Sequence, residues 1–373
     1  MTTPISRTPR ALALLGAGAL VLAACGAAPE ESGGDEAGGD HSDFKACMVS
    51  DSGGFDDRSF NQSGATGLQM AKDEYGVQTQ TAESQSDSDY VPNINNLVQS
   101  DCDLVFTVGF LFAQTVATEG ENNPDTEFAI IDSTAQDADG NTVEVDNVKP
   151  ISFDTAQAAY LAGYVAAGTS KTGKVATYGG MNIPTVTIFM DGFADGVAKY
   201  NEEHDADVEL LGWDKENPAA GAFTGDFDDQ TKGKALSDTF YDDGADVVMP
   251  VAGPVGVGTI ASAKERDGAM VIWVDTDGYE ANADDPEAQA VMLTSVMKGI
   301  SNSVNDVTGA AANDEFDNEP YVGTLENEGV GIAPYHELDS EVPQEIKDEV
   351  EQLKQDIIDG TIVVESESSP EQE

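Results

Sequence analysis

Two α/β lobes, each a doubly wound parallel sheet and facing one another across a cleft, are the architecture this sequence predicts. Three observations lead to it. Seven short, nearly uninterrupted apolar runs recur along the chain, as strands buried on both faces should. Helix-forming segments separate them, the alternation expected of parallel sheets. About 320 residues of this pattern exceed what one such sheet ordinarily accommodates, so two domains are expected.

The expected strands are, in order, KACMVS, DLVFTVG, EFAIID, KVATYGG, VELLGW, DVVMPVA and MVIWVD, and the expected helices include FNQSGATGLQMAKDEYG, DTAQAAYLAGYVAAGTS, TVTIFMDGFADGVAKYNEE and VGTIASAKERDG. A second run of the same grammar starts at SFDTAQAAYLAGYVAAGTSKTGKVATYGG, which places a boundary near residue 153; no internal sequence repeat is evident. In open α/β sheets ligands bind beyond the carboxyl ends of the strands. Polar or glycine residues recur at those ends: Asp51, Gly109, Asp132, Gly253, Asp275 and Asp277. A carboxylate there is ordinarily a helix N-cap, but its recurrence points to a cleft.

Ahead of the globular pattern, residues 1–24 carry Arg7 and Arg10, no acid, and the apolar run ALALLGAGALVLAA. This is the pattern of an export signal, and the run is shorter than the ~20 residues of a spanning helix. It ends in Leu22-Ala23-Ala24-Cys25, which resembles a bacterial lipobox and makes Cys25 the expected lipidation site; an ordinary secretory signal containing a cysteine is the alternative. Residues 25–43 are rich in Gly, Glu and Asp and are expected to be a disordered acidic tether spanning roughly 25 Å. Residues 364–373 are expected to be a similar tail. In an exported protein the remaining Cys47 and Cys102, each at the front of an expected strand, are expected to form a disulfide; two buried thiols are the alternative.

With 70 Asp and Glu against 17 Lys and Arg, the formal net charge is −53. Such charge opposes self-association, so a monomer is expected, and it repels polyanions, which excludes nucleic acid and disfavours free nucleotides. The three histidines, His41, His204 and His336, are scattered, and no G-x-S-x-G or His/Cys metal spacing occurs, so neither an enzyme nor a metal or other cofactor is expected. The segment DADGNT (137–142) lacks the glycine and closing glutamate of a calcium loop. The Gly253, Gly256, Gly258 run is not a dinucleotide fingerprint.

A series of stretches, in order, is similar to one family: DSGGFDDRSFNQSG (51–64), VGFLFAQ (108–114), NPDTEFAIID (123–132), AAYLAGYVAA (158–167), GGMNIPTVTIFMDGFADGV (179–197), GDFDDQTKGK (225–234), AGPVGVGTIASAKERDG (252–268), VDTDG (274–278), LTSVMKG (293–299) and GVGIAP (329–334). They resemble the basic-membrane-protein, PnrA-like nucleoside-binding lipoproteins of ABC transporters. The resemblance implies a type I periplasmic-binding-protein fold, with lobe 1 over 44–153 and a return segment at about 278–320, and lobe 2 over 154–277 with a return at about 321–363. It implies an extracytoplasmic receptor anchored to the membrane by lipid, which delivers purine nucleosides to an ABC permease and ATPase. A same-fold receptor for a sugar or pyrimidine nucleoside, or one that signals, is the alternative.

Carried onto matching positions, the family's roles make Phe60 and Phe227 the faces that sandwich the base. Asn61 and Asp132 would bond its edge, and Asp51, Gly253, Asp277 and Lys298 would hold the ribose. The residue types suit this: aromatic faces stack on any base, and carboxylates and an amide read hydroxyls and exocyclic groups. Asp57 and Arg58 are read as a surface or lobe-closure pair, and Phe189 as core. The chain departs from the family at Pro254, Val255 and Gly278, which bears on the ribose contacts.

Overall fold

The computed structural model describes residues 41–370; the signal segment and Cys25 lie outside the described residues. In chain order the elements are β1 (Lys45–Val49), α1 (Phe60–Tyr75), β2 (Gln78–Ala82), α2 (Tyr90–Val98), β3 (Leu104–Val108), α3 (Ala113–Asn122), β4 (Glu127–Ile131), β5 (Val148–Phe153), α4 (Thr155–Thr169), β6 (Lys174–Gly179), α5 (Pro184–His204), β7 (Glu209–Leu211), α6 (Gln230–Asp242), β8 (Val247–Val251), α7 (Val257–Lys264) and β9 (Met270–Asp275). They continue with α8 (Gly278–Ala281), α9 (Pro286–Gln289), β10 (Met292–Lys298), α10 (Ile300–Ala312), β11 (Tyr321–Gly323), β12 (Val330–Ile332) and α11 (Gln344–Ile358). All seven expected strands are present. β2, β5, β10, β11 and β12 are additional; QTQTA and the three-residue β11 and β12 lack the continuous apolar run that marks a buried strand.

Two six-stranded sheets form, in the orders β11-β5-β4-β3-β1-β2 and β12-β10-β9-β8-β6-β7. The first is wholly parallel, and the second is parallel except where β12 runs antiparallel to β10. Alternate side chains serve the two faces of each sheet. In the first, Cys47, Val49 and Val105 join α2 and α3 residues in one core, whereas Met48, Phe106 and Ile131 join Leu68 of α1 and Val304 of α10.

The sheet order corrects the expected return segments. β10 pairs with β9, so 278–298 belongs to lobe 2, and the chain re-enters lobe 1 only at α10, packed on α1. β11 pairs with β5 in lobe 1, and of the 321–363 segment the part from β12 through α11 lies with lobe 2. Backbone pairing decides this: an edge strand satisfies its N–H and C=O groups on whichever sheet it reaches. The three crossovers, at Asp154, Gly299 and Thr324–Gly329, are bonded together, with Asp154 N–H donating to Gly323 O (2.8 Å) and Gly299 N–H to Gly329 O (2.7 Å).

Helix α4 is apolar on every side because α5, α11, β10 and β12 surround it. Its contact with α5 is backbone to backbone: a Cβ on Gly163 would lie 2.2 Å from Phe193 O, and one on Gly192 2.2 Å from Ala156 O. The AAYLAGYVAA and MDGFADGV motifs are thus packing motifs that fix α5, whose first turn reaches the cleft. Cys47 and Cys102 form a disulfide with Cα atoms 6.0 Å apart, tying β1 to the turn before β3. Two segments expected to be unfolded are ordered where described. His41 N–H donates to Tyr75 O. Val364 is buried, and Ser366, Ser368 and Ser369 bond Asp191, Thr187 and Asp154. Short serine side chains reach polar groups at the start of α4 and in the first half of α5 there, a source of order that composition does not reveal.

Candidate functional site

The loop from β1 into α1 is built around Asp57. Its carboxylate accepts from the N–H groups of Ser59, Asn61 and Gln62 at 2.8–3.0 Å, which satisfies the free donors of the helix start. Asp57 is therefore a buried cap of α1 rather than half of a surface or lobe-closure pair with Arg58. The turn places Phe60 at the first position of α1, half-buried, with its ring beside Gly109.

Phe227 comes from the β7–α6 connection of the other lobe. Gly225 N–H donates to Gly180 O (2.8 Å), Thr224 Oγ1 donates to Asp226 O, and Asp226 accepts from Asp228 and Asp229 N–H and pairs with Lys232. A Cβ at Gly180 would lie 2.4 Å from the Phe227 ring, so only glycine at that strand end lets the ring lie there.

Both phenylalanines line one cavity between the lobes. Of the expected site residues, Asp51, Phe60, Asn61, Asp132, Phe227, Gly253 and Lys298 line it. Asp277 does not: it caps α8 through Tyr279 N–H (3.0 Å) and accepts from or pairs with His336 Nε2 (2.7 Å). The cleft carboxylate at that strand end is Asp275. The backbone decides between them, because Asp275 takes a left-handed conformation (φ 70°) that ends β9 and turns its side chain inward. Asp132 (φ 62°) does the same at the end of β4, the strand at the equivalent place in the other sheet.

Lys298, at the end of β10, stands between these two acids. Its Nζ is 2.6 Å from Asp132 Oδ2 and 3.4 Å from Asp275 Oδ1, and it lies 5.2 Å and 4.8 Å from the ring centres of Phe60 and Phe189. Burial opposes its charge, but the two carboxylates overcome this and hold its pKa above the ordinary lysine value. At Asp132 burial outweighs the Lys298 contact and raises the carboxyl. Asp51 is pushed up to about 6 by burial, against the opposing bonds from Gly53 N–H and Asn61 Nδ2. Phe189, expected as core, is both core and cavity wall, as is Val186, and the partly buried Ile183 beside them at the start of α5 also lines the cavity. The α5 start gave no polar signal by which to find it.

The cavity therefore offers four aromatic rings, among them Phe60 and Phe227 from opposite lobes, four carboxylates and a single ammonium. This suits a flat, uncharged ligand that donates hydrogen bonds, and it opposes an anionic one.

The family model described as "ABC transporter substrate-binding protein PnrA-like" matches residues 44–368. The "ABC transporter nucleoside-binding protein BmpA" of Lactococcus lactis is 34% identical over 340 residues, covering 87% of this chain and 90% of the relative. The "CD4+ T-cell-stimulating antigen" of Listeria innocua is 31% identical, covering 95% and 97%. A crystal structure of an ABC transporter solute-binding protein from Aeropyrum pernix superposes with a TM-score of 0.73 at 25% identity, over 87% of this chain and 94% of that one. With two parallel-sheet lobes, a cleft between them and the family's pattern along nearly all of the described residues, the chain belongs to the PnrA-like family of ABC transporter substrate-binding proteins.

Proposed function

We propose that the cleft captures a purine nucleoside, stacking its base between Phe60 and Phe227, and presents it to an ABC permease and its ATPase. The observation that carries this is the pairing of those two rings in one cavity whose polar groups are nearly all acceptors. Asn61 and Asp132 meet the base edge, and Asp51, Asp275, Gly253 and Lys298 surround the ribose. Asp275 takes the place given above to Asp277. The nucleoside-binding name of the Lactococcus lactis relative supports the same ligand class. The protein works as a monomer outside the cytoplasm, held to the membrane by lipid on Cys25; among the described residues no helix is long and apolar enough to cross a membrane.

Thermal unfolding with adenosine, guanosine, inosine, cytidine, ribose and AMP tests the ligand class. Purine nucleosides are expected to raise the midpoint and AMP is not, since its phosphate would enter a cleft with one cation and four acids. Absence of any shift with all three purine nucleosides refutes the proposal. For the anchor, Cys25→Ala is expected to move the protein from the membrane fraction to the medium.

A further inference from the structure

Asn61 is the residue of the cavity wall best suited to read a ligand by either donating or accepting, and its surroundings remove that choice. Its Nδ2 donates one hydrogen to Asp51 Oδ1 (2.8 Å) and the other to Asp57 Oδ2 (3.0 Å), while its Oδ1 accepts from Asp51 N–H (3.2 Å). Turning the amide over would set its oxygen against two carboxylate oxygens and its NH₂ against an N–H. All three contacts would become repulsive, so the network dictates the orientation.

Asp57 itself has nothing left to offer. Oδ1 accepts from Ser59 and Gln62 N–H, and Oδ2 from Asn61 N–H and Nδ2. Four N–H donors on two oxygens leave no position for a proton, and Asp57 is only 4% exposed. Asp51 Oδ1 is likewise taken up, by Gly53 N–H (2.9 Å) and Asn61. What the chain Asp57–Asn61–Asp51 can present to the cavity is thus a lone pair on Asn61 Oδ1 and the second oxygen of Asp51.

From this we infer that Asp57 is a specificity-determining, positioning residue: by locking the Asn61 amide it makes this wall accept only, so that the ligand edge meeting it must carry an N–H. The inference rests on the purine nucleoside reading and deepens it. Adenosine supplies the donor through its exocyclic amine, and inosine or guanosine through the ring N–H. A purine whose six-membered ring has bare nitrogens leaves a buried acceptor unpaired, the situation that binding sites reject most strongly.

Calorimetric titration of the full chain with adenosine, inosine and purine riboside, which lacks any edge N–H, tests this. The first two are expected to bind at least about 100-fold more tightly than the third. Purine riboside binding within threefold of inosine overturns the inference while leaving the nucleoside reading intact; binding of none of the three defeats that reading itself. Asp57→Asn removes one of the three contacts that fix the Asn61 amide, leaving the two to Asp51, and the preference is expected to shrink to within about tenfold. A folded variant that keeps the full wild-type preference removes Asp57 from the role. Should that variant not fold, the Asn61 side-chain NH₂ resonances of the wild type, identified by their loss in Asn61→Ala, give an independent readout. They are expected to stay bonded to the carboxylates when inosine is added; transfer of either hydrogen to the ligand overturns the inference.

Discussion

Phe60 is held from behind and free in front. Its backbone starts α1 on the Asp57 cap, its ring lies beside Gly109 and 5.2 Å from the Lys298 ammonium, and one face borders the cavity. Stacking a base on such a ring is worth about 1–3 kcal/mol, so Phe60→Ala is expected to weaken every purine nucleoside by roughly 5- to 150-fold, as calorimetry would register. An unchanged dissociation constant would take Phe60 out of the site. Asp51 makes a second prediction. Burial holds its pKa at about 6 in the ligand-free protein, and donors on the ligand favour the ionised carboxylate. Binding is therefore full above that pH and is lost as the pH falls through it, by about tenfold between pH 7 and pH 5. Titrations at pH 5 to 8 should show this, and Asp51→Asn should bind with a flatter profile; a wild-type affinity constant across the range would exclude Asp51 from contact.

Among the elements, α4 and α5 bear most on the site, since the start of α5 supplies Ile183, Val186 and Phe189 to the cavity wall. Their spacing depends on glycine. A Cβ at Gly192 would meet Ala156 O at 2.2 Å, and the atom it meets is backbone, which cannot swing aside. Gly192→Ala is expected to destabilise by about 1–3 kcal/mol through forced separation of the helices, visible as a lower urea midpoint, and to weaken ligand binding with it. A midpoint equal to wild type would mean that the helix pair is more loosely packed than this geometry requires. The serine contacts of 366–369 fall on the start of α4 and the first half of α5, so the C-terminal segment adds to the restraint on α5.

Across the whole molecule, hydrogen bonds join the two lobes at the cleft. Ser59 Oγ donates to Asp275 Oδ2 (2.7 Å), Trp273 Nε1 and Thr276 Oγ1 both donate to Arg58 O, and the Arg58 guanidinium forks onto Asp284 and reaches Asn282. Lys298 and Asp132 form the buried crossing. The Arg58–Asp284 pair is largely exposed, so its contribution is small and screened by salt. Arg58→Ala is accordingly expected to raise the ligand off-rate only about 2- to 5-fold, leaving the cavity contacts in place. Trp273 offers the measurement, because its indole N–H bonds the opposite lobe. In a Trp213→Phe background its emission should change on closure, and stopped-flow mixing should show faster ligand release without Arg58. An off-rate equal to wild type would show that the carbonyl and Ser59 contacts close the lobes unaided.

Seven strands and the long helices were legible in the sequence because burial on both faces and helical periodicity are local properties, written in consecutive residues. The strand-end residues were legible for the same reason: an acid or glycine where an apolar run stops is visible without a partner. Which of them face the ligand depended on contacts far away in the chain. Asp275 rather than Asp277 lines the cavity because one residue took a left-handed turn and the other found His336, 59 residues on. The return segments followed from which sheet edge β10, β11 and β12 could reach, which short or polar strands do not declare. The polarity of Asn61 was likewise set only when Asp51 and Asp57 closed around it. The sequence by itself determined the alternating α/β lobes and the stock of cleft residues, since periodicity and residue type act locally. Tertiary structure alone decided which carboxylates face inward and which hydrogen bonds remain for a ligand, since each donor and acceptor is spent on whatever the fold brings beside it.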